Sequence, residues 1–505
     1  MIDEINEPKL HYVTVHSMDS IDDFYTDMES SGGNLYIPNR RVDCAVRMPN
    51  ARATGYMLTK LEAQALKKDP RVLDVELNNE ERGIVPMPMG WSQPASASLT
   101  YRRSTGSGVY NDVNWGIYRI LKGNLTGWGS DIPGAGMSTT TATQTGIPNV
   151  TVDIQYGGEG VDVVIIDGGV VPVNHPEYAV NADGTGGSRC VQYNWCQHDQ
   201  SIWGSGGTIP FKYDGTATPF DNHAIHVTGT AAGNRNGLAR NAAIYNLPYT
   251  GYAGGNGGIY GAAMEYVRAF HRAKPVGPSG YKRPTVVNNS WAYTTSGYFN
   301  VSDISSVVYR GVTYSGADIT AQNCYNWNIF AGPYYPSIYL NGWAVLSTRV
   351  TWEDASFVDA MNEGILTFQA AGNFNNYIAE DNDIDWDNRI YWSSINKGNA
   401  SAPTNPHYYM RGHTPGQAGG NRKMSIGAID SVAKISSTVS KERKADFSMW
   451  GPGVTMWAPG VDIISAHLQD TVPAHSAYPT IADGRNASYF LGKLQGTSMA
   501  CPHIT

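Results

Sequence analysis

Four residues carry side chains that chemistry can use, each where a chain presents such groups. Asp167 follows the apolar run from Val161 to Ile166 and precedes Gly168 and Gly169, so a carboxylate closes a buried strand at a turn. Taken alone it reads equally well as a helix cap or a satisfied buried acid. His223 lies in Asp221-Asn-His-Ala-Ile-His-Val-Thr-Gly-Thr-Ala-Ala-Gly233, ahead of a small-residue helix. His226 shares roughly its face and makes a metal pair the competing reading, without the neighbouring carboxylate or third His of a zinc motif. Asn373 follows Gly372 at the end of the apolar run 365–371, where an amide can donate to a developing oxyanion or serve a left-handed turn. Ser498, in Gly496-Thr-Ser-Met-Ala-Cys-Pro502-His, opens a helix whose free amides and positive dipole end suit either an attacking hydroxyl or an N-cap. Each signal is weak singly. Together, Asp, His, Asn and Ser in this order supply the orienting carboxylate, base, oxyanion donor and nucleophile of acyl transfer.

Such residues need a frame. Nearly continuous apolar runs at 161–166, 242–247, 285–287, 365–371 and 424–429 are what a parallel sheet buried on both faces requires. Between them, Ile259, Ala263, Tyr266, Val267 and Phe270 fall on one helical face, and Phe357, Val358 and Met361 on another. Strand–helix alternation predicts a doubly wound, mostly parallel α/β domain over 113–505 with right-handed crossovers. Residues 1–82 read as a separate small α/β unit: a strand at Val13–Val15, a helix over Ser17–Met28, a capping box at Thr59 and Glu62, and a strand at Val72–Leu77 after Pro70. The Pro/Ser/Gly-dense stretch 83–112 reads as a linker, and the Tyr-, Trp- and Asn-rich stretches near 293–350 and 374–422 as long surface insertions.

Composition narrows the partners. The 505 residues hold 36 Lys+Arg against 44 Asp+Glu, a net charge of −8, and charged residues are 16%, under the roughly 25% of an average globular protein. That excludes charge-driven disorder and a broad basic face, so no nucleic-acid partner is expected. No apolar run approaches the ~20 residues of a membrane span, and the acidic start MIDEINEPKL is not a secretory signal, so no membrane partner is expected either. Cys44, Cys190, Cys196, Cys324 and Cys501 are odd in number and scattered, which favours reduced thiols; a Cys190–Cys196 pair, or a metal shared with His198, is the alternative. The run Glu380, Asp381, Asp383, Asp385 and Asp387 invites structural calcium, with a solvated acidic loop as the other reading; Trp386 stands where an EF-hand needs glycine.

On these motifs the sequence resembles the subtilisin-like serine proteases, the subtilases. VVIIDGG with His175-Pro-Glu177 resembles the family's Asp motif, and HAIHVTGTAAG, followed by GLARNAAIY, its His motif. FQAAGN resembles the oxyanion motif, GTSMACPH the Ser motif, and ADFSMWGPGVTMWAPG the segment before it. Residues 55–77 resemble the end of the family's inhibitory prodomain, and Trp115-Gly-Ile-Tyr-Arg-Ile120 the start of the mature enzyme. The resemblance implies Ser498 as nucleophile, His223 as base and then acid, Asp167 as the group fixing the imidazole tautomer, and Asn373 as oxyanion donor, with no cofactor in the chemistry. It implies a polypeptide substrate strand along Ser290, Trp291 and Ala292, contacts from Gly372 and Phe374, and the chain's own prodomain as intramolecular inhibitor, released by cleavage in 83–112. Phe374 suggests a preference for apolar or aromatic residues before the cleaved bond.

Three departures stand out: Gly168 replaces the usual Ser or Thr, Ala224-Ile225 replace Gly-Thr, and Trp291-Ala292 replace a glycine-ended pattern. The competing reading is a structural protein that keeps the fold, similar to subtilase-like proteins of tailed-phage particles and then virion-associated. Thr505 falls seven residues after Ser498, which leads to the expectation that the sequence is a fragment lacking the rest of a long helix and inactive as written.

Overall fold

The computed structural model describes residues 7–33, 42, 44–88, 91–92, 113–122, 146–147, 156–204, 220–249, 262–278, 280–329, 341–393, 406–412, 424–431, 443–468 and 480–505. Most of the stretch read as a linker, and parts of both insertions, lie outside them.

In the N-terminal unit, four antiparallel strands run in the order Cys44–Arg47, Ala53–Leu58, Lys9–Val15, Val72–Leu77. Helix Ile21–Glu29 buries Ile21, Phe24 and Met28, three positions of one helical face, against this sheet. Helix Lys60–Leu66 begins with the capping box read from sequence: Thr59 N donates to Glu62 Oε2 at 2.8 Å and Glu62 N to Thr59 Oγ1 at 3.3 Å.

The larger body is built on a seven-stranded sheet with every pairing parallel. Its order is Cys190–Val191, Ala243–Pro248, Asp162–Asp167, Thr285–Asn289, Leu366–Ala370, Ser425–Ile429, Met456–Pro459. Asp162–Asp167, the first of these in the chain, is buried along its whole length and lies third in the sheet. The chain fills the two places on one side of it and then the four on the other. Its carboxyl end is therefore the topological switch point, where open α/β sheets leave a crevice for ligands. Helix Asn222–Ala232 packs behind it among small residues; a methyl at Gly229 would collide with Ser465 Oγ of the Ile463–His467 strand.

Helices Ala263–Ala273 and Thr351–Asn362 pack on the sheet and also receive the N-terminal unit. Met48, Ala51 and Ile84 share one core with Tyr266, Phe270, Trp352 and Phe357, and Tyr12 stacks on Trp352 with centroids 4.9 Å apart. Arg52 grips Asp359 through two 3.1 Å contacts from Nε.

The two stretches read as separate insertions meet in space. Ile304–Tyr309 pairs with Arg389–Trp392, and with Val312–Ser315 and His407–Tyr408 they make a four-stranded antiparallel sheet over its own core of Val307, Cys324, Ile390 and Tyr409. The five cysteines form no disulfide. Near the Ser motif, the Thr480–Asp483/Asn486–Gln495 hairpin is pinned by Arg485, 4% exposed, which holds Asp483 at 2.6 Å and also pairs with the fully buried Glu177. Among the described residues no helix is long and apolar enough to cross a membrane.

Candidate active site

The strand Asp162–Asp167 delivers Asp167, 0% exposed, to the switch point. Its Oδ1 accepts from Gly168 N at 2.7 Å and from His223 Nδ1 at 2.8 Å. That contact places the neutral imidazole's proton on Nδ1 and leaves Nε2 as the basic nitrogen. His223 sits in the first turn of its helix, capped by Asp221, whose Oδ1 accepts from His223 N at 2.9 Å. Burial works against the imidazolium, but the Asp167 carboxylate, with a smaller contribution from Asp221, more than offsets it and raises the His223 pKa. His223 Nε2 is buried and has no hydrogen-bond partner. Ala224 and Ile225, the bulkier departures beside the histidine, are fully buried and pack with Val163, Ile165 and Trp115, so their added volume goes to the core.

Ser498 lies in the short helix Thr497–Ala500, entered through Gly496 at φ +146°, a conformation that favours glycine. Its Oγ donates to the carbonyl of Ser290 at 2.8 Å, and Ser290 Oγ donates back to the carbonyl of Ser498 at 2.9 Å. Asn288 Nδ2 supports Ser290 Oγ at 2.9 Å. Asp167 and His223 are thus joined to each other, whereas the Ser498 hydroxyl is engaged with Ser290.

Asn373 is oriented by Thr497, which donates to Asn373 Oδ1 from both N (2.9 Å) and Oγ1 (2.8 Å). Gly372 N in turn donates to Thr497 Oγ1 at 3.0 Å. With its oxygen engaged, Asn373 keeps its Nδ2 for another acceptor. The sequence reading passed over Thr497, which anchors Asn373; its position beside Ser498 was the available signal.

Ser290, Trp291 and Ala292 are all fully buried. The Trp291 ring packs in the main core, 5.1 Å from Tyr249 and 5.0 Å from Tyr293, so the ring is not open to a ligand. The Trp291–Asn300 strand pairs antiparallel with Val85–Pro88, Trp291 opposite Pro88. Phe374 is half-buried between the clusters around Ala292 and Met449.

The acidic run does not converge on one point. Asp385 forms a two-pronged pair with Arg310 at 2.8 and 2.9 Å, Asp387 holds Arg411 at 2.6 Å, Asp383 accepts from the Tyr377 hydroxyl at 2.7 Å, and Asp381 is exposed. These arginines lie far off in sequence, so only the fold could reveal them. Among the described residues, the one acid and histidine group compact enough to hold a metal ion is Asp167, Asp221 and His223. His226 is absorbed in the helix packing: its Nε2 meets the Ile463 carbonyl at 2.9 Å, and burial holds its pKa well below the ordinary value.

No curated protein matches the sequence significantly. Among solved structures, it is similar to a cold-adapted subtilisin-like serine proteinase (19% identity over 70% of this chain and 78% of that one, TM-score 0.33). It is similar also to fervidolysin from Fervidobacterium pennivorans, a keratinolytic enzyme related to subtilisin (16% identity, TM-score 0.46); the match takes in 99% of this chain and 54% of that one. A third is the epidermin leader peptide processing serine protease of Staphylococcus aureus (11% identity over 99% of this chain and 86% of that one, TM-score 0.43). The model of the subtilase family matches residues 158–505, more than two thirds of the sequence and all four motif residues. The chain belongs to the subtilase family of serine proteases.

Proposed function

We propose that this protein is a serine endopeptidase made as a self-inhibited zymogen, with Ser498 as nucleophile, His223 as base, Asp167 as its orienting carboxylate and Asn373 as oxyanion donor. The observation that carries the reading is the 2.8 Å contact between Asp167 Oδ1 and His223 Nδ1, made by residues 56 apart at the switch point of the sheet. For attack, the Ser498 hydroxyl leaves the Ser290 carbonyl and gives its proton to His223 Nε2. Asp167 stabilises the imidazolium so formed, which then protonates the leaving amine. The negative charge on the former carbonyl oxygen is met by Asn373 Nδ2 and by the Ser498 amide at the helix start.

Two strand pairings support the zymogen. Val85–Pro88 lies along the strand that begins at Trp291, and Trp91–Ser92 pairs with Leu494 and Gln495, just ahead of Ser498. The chain leaving the N-terminal unit is held on both sides of Met89-Gly90, and the proposed self-cleavage falls between Pro88 and Trp91. The test compares the full chain with Ser498→Ala. The parent should split in that interval and take up a serine-directed fluorophosphonate at Ser498, while the variant stays whole and unlabelled. Equal fragmentation of both, with no label on either, rejects the scheme.

A further inference from the structure

The family's hydroxyl after the catalytic Asp is missing here, and the structure shows what occupies its space. A Cβ on Gly168 would lie 2.8 Å from Asp221 Oδ2 and 3.3 Å from the Tyr249 hydroxyl. Glycine at 168 therefore lets a second carboxylate close on the Asp167–His223 pair, and ligand atoms of Asp167, Asp221 and His223 all lie within 4.8 Å of one another. Asp167 Oδ2, fully buried, has no hydrogen-bond partner. We propose that Asp221 is a positioning residue of the catalytic centre, a second carboxylate that holds the His223 imidazolium and so sets the pH at which the base becomes free.

Among the described residues, the groups facing His223 are few. Asp167 comes from the Asp162–Asp167 strand, the Tyr249 hydroxyl lies over Gly168 just past the Ala243–Pro248 strand, and His226 stands one turn deeper in the helix. Burial, and then the Asp167 charge, push the Asp221 carboxyl above its ordinary value, as two acids in one small space must. An ionised Asp221 favours the imidazolium, so removing its charge lowers the His223 pKa and frees the base at lower pH. Asp221 adds less than Asp167, whose contact is direct, so removing its charge should lower the midpoint by less than removing the Asp167 charge would.

Asp221 also caps the helix, and asparagine caps as well as aspartate, so Asp221→Asn separates charge from cap. This inference rests on the proposed roles of His223 and Ser498, and the experiment keeps the two apart. In the full chain carrying ring-labelled histidine, with the His223 signal assigned by its loss in His223→Gln, NMR titration reads the imidazole directly. Fluorophosphonate labelling of Ser498 against pH reads the chemistry. Asp221→Asn should lower the His223 midpoint and carry the acid limb of labelling with it. Gly168→Ala, whose Cβ would press on the same carboxylate at Oδ2, should move the midpoint the same way. Coincident midpoints in parent and Asp221→Asn overturn the inference and leave Asp221 a cap. A shifted midpoint without labelling at any pH upholds it and rejects the proposed activity instead.

Discussion

Glu76 is a buried polar hold of the N-terminal unit on the larger body, and its removal should loosen that unit measurably. Its Oε2 accepts from Thr351 N at 2.8 Å and Trp352 N at 3.4 Å, the first-turn amides of helix Thr351–Asn362, which has no side-chain cap of its own. Its Oε1 holds Arg82 at 3.0 Å, with both side chains about nine-tenths buried. Losing a capping acceptor costs about 1 kcal/mol. Arg82 belongs to the same unit, so losing the pair weakens docking only by leaving Arg82 buried against the larger body without its carboxylate, about 2 kcal/mol given that it keeps the Arg349 carbonyl at 3.0 Å. Glu76→Ala should thus weaken docking by about 3 kcal/mol, or about a hundredfold in the opening equilibrium. Glu76→Gln keeps an acceptor oxygen for the helix amides and should cost about 1 kcal/mol. The assay is hydrogen exchange of peptides spanning 351–362, in a Ser498→Ala background to prevent cleavage. Graded acceleration, Ala above Gln above parent, is expected. Parent-like exchange in Glu76→Ala, or equal effects of the two substitutions, refutes the reasoning.

The same interface should respond to pH through Glu353, which is fully buried with Oε1 on Asn79 Nδ2 at 2.7 Å and Oε2 unpartnered. Burial pushes its carboxyl well above the ordinary 4.5, and the nearby Asp354 and Glu76 charges add to the shift against Asn79 and Arg82. The docked form then keeps a proton that the undocked form loses near 4.5, so docking weakens as pH rises from there through the raised value. Glu353→Gln should abolish this slope in the exchange assay; an unchanged slope assigns it elsewhere. Phe374, half-buried beside Asn373, should favour apolar or aromatic residues before the cleaved bond, and a peptide-library profile showing only charged residues there would remove that idea.

Local rules are written in the sequence because they act over a few residues. The Thr59–Glu62 capping box, the buried Asp162–Asp167 run and the small-residue helix behind His223 each follow from spacing that neighbours alone enforce. The placement of the four motif residues was legible for the same reason, since strand ends and helix starts have local signatures. Pairing across the chain was not. The two insertions looked like separate loops because neither buries enough apolar surface alone; only their joining through Ile304–Tyr309 and Arg389–Trp392 makes a core. The acidic run admitted both a cation site and a solvated loop, and only the fold brings Arg310 and Arg411 to Asp385 and Asp387 from other segments.

From the sequence alone came the residue types of the proposed chemistry and their order along the chain. Tertiary structure alone decided their partners. It set Asp167 on His223, turned the Ser498 hydroxyl to Ser290, made Thr497 the anchor of Asn373, and brought Asp221 over Gly168. The physical reason is one of range: propensity and periodicity are settled within a turn or a strand, whereas a hydrogen bond or a carboxylate's charge acts across space on whatever the fold brings near.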